Sequence, residues 1–123
     1  MRKWIFGLCL GLVASAALAD GVENKWRLEF SGNAESAGRI VLELAPAKGE
    51  PIRASVDIAN GRSENGVARS VRDALQAQAG KRYNVEVDDG EDVLVKKQDG
   101  ERDFVVTVVE NSVRGVAIEV EAE

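Results

Sequence analysis

The chain has no histidine, and its one cysteine, Cys9, lies in an apolar run close to the N-terminus. Without imidazole, neither a Ser-His-Asp nor a Cys-His arrangement can exist, and zinc, copper and non-haem iron sites lose their commonest ligand. Serine-lysine catalysis would need a lysine beside a nucleophile in a pocket. Lys25, Lys48, Lys81, Lys96 and Lys97 all fall at strand ends, in turns or at outward positions of the pattern. A phosphate-cradling loop is missing too, because Gly61-x-x-x-x-Gly66 is not followed by Lys-Ser/Thr. Carboxylates are the only acid-base equipment left.

The apolar run, Trp4 to Ala19, follows the cations Arg2 and Lys3 and is broken only by Gly7, Gly11 and Ser15. It is shorter than the roughly 20 residues that span a bilayer. It ends in Ala17-Leu18-Ala19, a small-x-small pattern that fits a signal peptidase. Residues 1–19 are therefore expected to be a signal peptide cleaved before Asp20, and residues 20–123 a single small domain that is periplasmic or secreted, with no stable membrane insertion after cleavage. Cys9 leaves with the leader, so disulfides and thiol chemistry are not expected in the mature domain. Loss of Arg2 and Lys3 takes the net charge from −5 to −7, which disfavours nucleic acid as a partner.

What remains is dominated by alternation. Trp26, Leu28 and Phe30, then Ile40, Leu42 and Leu44, then Ile52, Ala54, Val56 and Ile58 alternate with polar residues, the signature of half-buried strands. Next, Ser63 is placed to cap a helix in which Ala68, Val71, Leu75 and Ala79 recur at helical spacing, and Gly80 offers a left-handed stop. Alternation then returns at Tyr83–Val87, Val93–Val95, Phe104–Val108 and Val116–Val120, with Asp89-Gly90 and Asp99-Gly100 as hairpin turns. The expected fold is α+β, about seven strands in the order βββαββββ on one helix. The last four strands read as an antiparallel meander, and the sheet either curls around the helix or divides into two layers. Val105 and Val109 add a second apolar face to the Phe104 strand, as in a strand covered on both sides or at the sheet centre.

Two charged groups stand out. Asp88, Asp89, Glu91 and Asp92 crowd one hairpin turn and could meet a cationic partner. They do not have EF-hand spacing, so no metal and no cofactor is expected. Arg27, Arg39 and Arg53 each lie on a different N-terminal strand, followed by Glu29, Glu43 or Asp57. They could hold an anionic ligand, or else form a cross-strand ladder with those carboxylates. Trp26, Phe30, Tyr83 and Phe104 are all in inward phase, as core or as the lining of an apolar cavity. The reading is a non-catalytic extracytoplasmic domain that binds another protein through a sheet edge or its acidic loops, in an inhibitor- or immunity-like form through Asp88–Asp92. A carboxylate-dependent hydrolase and a carrier of lipid-like ligands are the alternatives.

Overall fold

Each alternating segment has one apolar face, and each such face must be hidden against another element. A computed structural model describes residues 21–123; the expected leader and its cleavage point before Asp20 lie outside the described residues. The elements run β1 (Lys25–Ser31), β2 (Gly38–Pro46), β3 (Ile52–Ile58), α1 (Glu64–Ala79), β4 (Tyr83–Asp88), β5 (Asp92–Lys97), β6 (Phe104–Asn111) and β7 (Ala117–Ala122). This is the α+β order the alternation predicts. Among the described residues, no helix is long and apolar enough to cross a membrane.

The strands form two antiparallel sheets, β4-β5-β1-β7 and β3-β2-β6. Helix α1 packs mainly on β3 and β4, an edge strand of each sheet, so one helix serves both. Leu28 and Phe30 of β1, Ile40 and Leu44 of β2, Val71 and Leu75 of α1, and Phe104 of β6 are all fully buried in one continuous core. Each such burial contributes about 1.5–3 kcal/mol. Tyr83 and Phe104 meet with ring centroids 4.6 Å apart. Trp26 is half-buried and donates its indole N–H to the Phe104 carbonyl at 2.7 Å. That carbonyl also accepts from Glu23 N, which ties the lead-in of β1 to the start of β6 and joins the two sheets.

The meander expected of the last four strands does not form. Only β4 and β5 make a hairpin, with Asp89 and Gly90 at φ 53 and 80 as an Asp-Gly turn requires. Gly100 also takes a positive φ, yet the chain beyond it crosses to the other sheet, where β6 pairs with β2; β7 then returns to pair with β1. A turn motif fixes a local reversal, whereas a strand's partner is decided by which apolar faces close the core. The expectation that the Phe104 strand is covered on both sides or lies at the sheet centre also fails, since β6 is an edge strand and on its second face Val105 is half-buried and Val109 exposed. Its register slips where Val41 pairs with Glu110 and Leu42 with Val108, leaving Val109 as the extra residue of a bulge, 41% exposed.

At the start of α1 the Ser63 hydroxyl accepts from Gly66 N at 3.1 Å, as the sequence predicts, and Asn33 Oδ1 accepts from Glu64 N at 2.9 Å. Two of the helix's free N–H groups are thus satisfied, one of them by the β1–β2 loop. The stop differs from expectation. Gly80 has φ −65 and ψ −13, in the right-handed region, and its N–H simply continues the ladder to the Gln76 carbonyl.

Candidate functional site

The outer face of the four-stranded sheet is built by register. Side chains directly opposite across neighbouring strands share a face, so each row of pairs reads straight across the sheet. One row is Asp88, Asp92, Glu29 and Glu119, one carboxylate from each of β4, β5, β1 and β7. The next is Glu86, Leu94, Arg27 and Glu121, and the third contains Asn84, Lys96 and Lys25. The face therefore grades from purely acidic at the β4–β5 turn to basic at the other end.

Arg27 organises the middle. Its Nη1 donates to Asp92 Oδ2 at 2.5 Å and to Asp88 Oδ2 at 3.2 Å, and its Nε and Nη2 engage both oxygens of Glu123 at 3.0 and 3.3 Å. The fork geometry of guanidinium suits this arrangement of several carboxylates. The bonds to Glu123 and then to Asp92 push the Arg27 pKa further up, and the Arg27 bond holds Glu123 below the ordinary glutamate range.

Asp92 is the unusual member. Its side chain is only 8% exposed, and while Oδ2 is held by Arg27, Oδ1 has no hydrogen-bond partner among the described residues. A buried carboxylate oxygen left unpaired is costly, and most buried polar atoms avoid that state. Strand β5 is buried on both faces here, with Leu94 also covered although it points outward. Beside Asp92, the neighbouring carboxyl of Glu119, and next the charge of Asp92, lift Glu29 above the usual carboxylate range. One carboxyl oxygen each of Glu29, Glu119 and Glu121 lie within 4.8 Å of one another.

The four acids of the turn are therefore split. Asp89 stands exposed at the tip and Glu91 is half-buried, its carbonyl accepting from Phe30 N at 3.1 Å. Asp88 and Asp92 instead belong to the face and to Arg27. The three arginines are not brought together. Arg27 is on one sheet, whereas Arg39 and Arg53 are on the other, paired directly across strands with Asp57 at 3.1 Å and Glu43 at 3.2 Å. These last two form the cross-strand ladder, an arrangement worth little when exposed.

Sequence reasoning passed over Glu119 and Glu121. The signal was present in Glu119-Val120-Glu121-Ala122-Glu123, an acidic stripe at every second residue. Its neighbours on β1 could not be read from that stripe. Comparison with known proteins finds no matching family model and no matching curated sequence, so the arrangement of the residues themselves is the ground for a functional reading.

Proposed function

We propose that the chain is a non-catalytic extracytoplasmic binding domain that docks a lysine- or arginine-rich protein surface on the acidic outer face of its four-stranded sheet. The observation that carries this reading is the row Asp88, Asp92, Glu29 and Glu119. Like charges directly opposite one another destabilise a sheet. Charges on edge strands serve to prevent edge-to-edge association, and that would account for Asp88 on β4 and Glu119 on β7. It does not account for Glu29, which lies on the central strand β1 and, unlike Asp92 with its Arg27, has no ion-pair partner among the described residues. Repulsion tolerated at the centre of a sheet is explained by a cationic partner that relieves it.

The docking element thus shifts from the turn to the face, since Asp92 is held inward by Arg27. The hydrolase and carrier readings gain no comparable support. Glu29 and Glu119 lie exposed to bulk water rather than in a site that excludes it, and the inward aromatics are spent on the core and on one another.

The test is affinity capture from envelope extract over a salt series. Partner capture should be strong at low salt, fall steeply as salt rises, and be lost in the variant E29Q/E86Q/E119Q. It should persist in D89N, which alters only the tip of the turn. Capture that is independent of salt, or equal for the two variants, would refute the docking face.

A further inference from the structure

The basic end of the outer face carries a conflict of its own. Register places Lys25 of β1 directly across from Lys96 of β5, with Asn84 of β4 on the far side of Lys96. Among the described residues this is the one position in either sheet where two cations are direct partners; Arg39 and Arg53 face Asp57 and Glu43 instead. Direct partners have Cβ atoms about 4.5–5.5 Å apart, so the two ammonium groups repel and weaken the sheet. Among the described residues neither lysine has an ion-pair partner, whereas the adjoining Lys97 reaches Asp103 at 3.0 Å. Glu123 comes next along this row, its N–H bonded to the Lys25 carbonyl, but both of its carboxyl oxygens are held by Arg27.

The independent observation is a cavity. Lys25 and Lys96 line a recess of about 500 Å³ together with Asn84, Glu86, Leu94 and, from the last turn of α1, Gln76. That volume lies within the range of roughly 300–1,000 Å³ typical of small-molecule sites. Two cations near a helix end would have a plain structural use if they capped its last carbonyls. That task is already done by other groups. The Gly80 carbonyl accepts from Gln98 Nε2 at 2.8 Å, and the Gln76 carbonyl accepts from Gly80 N at 3.0 Å.

We propose that this recess binds a small anionic sugar, whose acid group sits between Lys25 and Lys96 and relieves their repulsion. The lining selects the rest of the ligand. An ammonium is a point charge with three donors and serves a carboxylate or a phosphate equally well. The side-chain amides of Gln76 and Asn84 each donate and accept, and the Glu86 carboxylate accepts only, a set that matches hydroxyl groups, which do both. Leu94 is covered to all but 6%, so the recess offers little apolar surface to a lipid-like body. Glu86 would repel a second acid group, which limits the ligand to one. The site is independent of the protein-docking reading, which uses the acids at the other end of the face.

The test is an NMR titration of protein purified after expression of the full chain, with glucuronate, glucose 6-phosphate and glucose as the probes. The backbone amides of Asn84, Leu94 and Lys96 should shift and saturate with one or both acids and stay still with glucose. Saturation by glucuronate alone assigns a carboxylate to the site, by glucose 6-phosphate alone a phosphate, and by both a site that reads charge. K25Q and K96Q should each weaken binding at least tenfold. K48Q, at an exposed position of the β2–β3 loop on the other sheet, should leave it unchanged, as should E29Q/E119Q at the acidic end. K25Q and K96Q each remove one of two repelling charges, so without sugar their Tm should be no lower than that of wild type. No saturable shift with either acid would overturn the site, as would an equal response to glucose or to sodium chloride of matched ionic strength. So would binding that survives both lysine changes, or a lower Tm in either lysine variant, which would mean that the lysines serve the fold instead.

Discussion

Gly32 permits a sharp test of how the two ends of the chain are locked together. It sits just past β1 at φ +90, and a Cβ placed there would lie 1.9 Å from the Gly115 carbonyl oxygen, well inside contact distance and against backbone that cannot swing aside. The neighbourhood is a clasp between the β1–β2 and β6–β7 loops, with Glu35 N bonded to Arg114 O at 2.8 Å and Arg114 N to Ser36 Oγ at 3.0 Å. For Gly32→Ala the left-handed backbone alone costs about 1–2 kcal/mol. Parting the loops forfeits two hydrogen bonds at about 0.5–1.5 kcal/mol each. The total is about 2–5 kcal/mol, or a drop in Tm of at least about 8 °C. Gly61 and Gly100 supply the controls, at φ +90 and +89 with nothing within 4 Å of an added Cβ. Alanine at either should cost only the backbone part, about 1–2 kcal/mol. Urea melts of the three variants separate strain from collision. If Gly32→Ala is no less stable than Gly61→Ala, the clasp is not a tight contact and the reasoning fails.

Leu75→Ala empties a fully buried position of α1 between the sheets and should cost about 2–5 kcal/mol in the same melts. Arg27→Leu strands buried Asp92 without its counter-charge and should lower Tm sharply, whereas Arg27→Leu with Asp92→Leu should recover much of the loss; a double variant as unstable as the sum of the two single variants would contradict the pairing. Glu29, with its pKa raised in the folded state, binds its proton more readily folded than unfolded, so it opposes folding at neutral pH and that opposition fades as pH falls through its folded pKa. Glu123 has the opposite sign: its lowered pKa supports folding above the unfolded value, and the support is lost as pH falls through the folded one. Tm measured from pH 3 to 8 should therefore be higher for Glu29→Gln than for wild type at neutral pH and converge with it in acid. A Glu29→Gln protein that is less stable at neutral pH would refute the repulsion.

The elements were legible because their causes are local. Period-two runs such as Ile40-Val41-Leu42 and the hydroxyl of Ser63 carry their structural meaning within a few residues. Partner choice was not, because nothing near β1 announces that its neighbours will be β5 and β7. The bulge at Val109 was hidden for the same reason, since it exists only relative to Val41 and Leu42 across the sheet. For the site, the density of acids at Asp88–Asp92 was visible but their division was not: Asp92 is buried because Arg27 arrives from a strand far away in sequence. The adjacent apolar run Val93-Leu94-Val95 was the available hint that β5 is covered on both faces.

The first strand of this chain sits inside its sheet, and its far side is filled by the last, pairing Trp26 with Ala122. Such closure spans nearly the whole polypeptide, so the ordering entropy of the intervening chain must be overcome before the final ladder rewards it. Until the ribosome has released the C-terminal segment, β1 lacks one flank and the acidic row lacks Glu119. The four-stranded sheet can therefore close only after β7 has been made, so contacts distant in sequence set the pace of its completion.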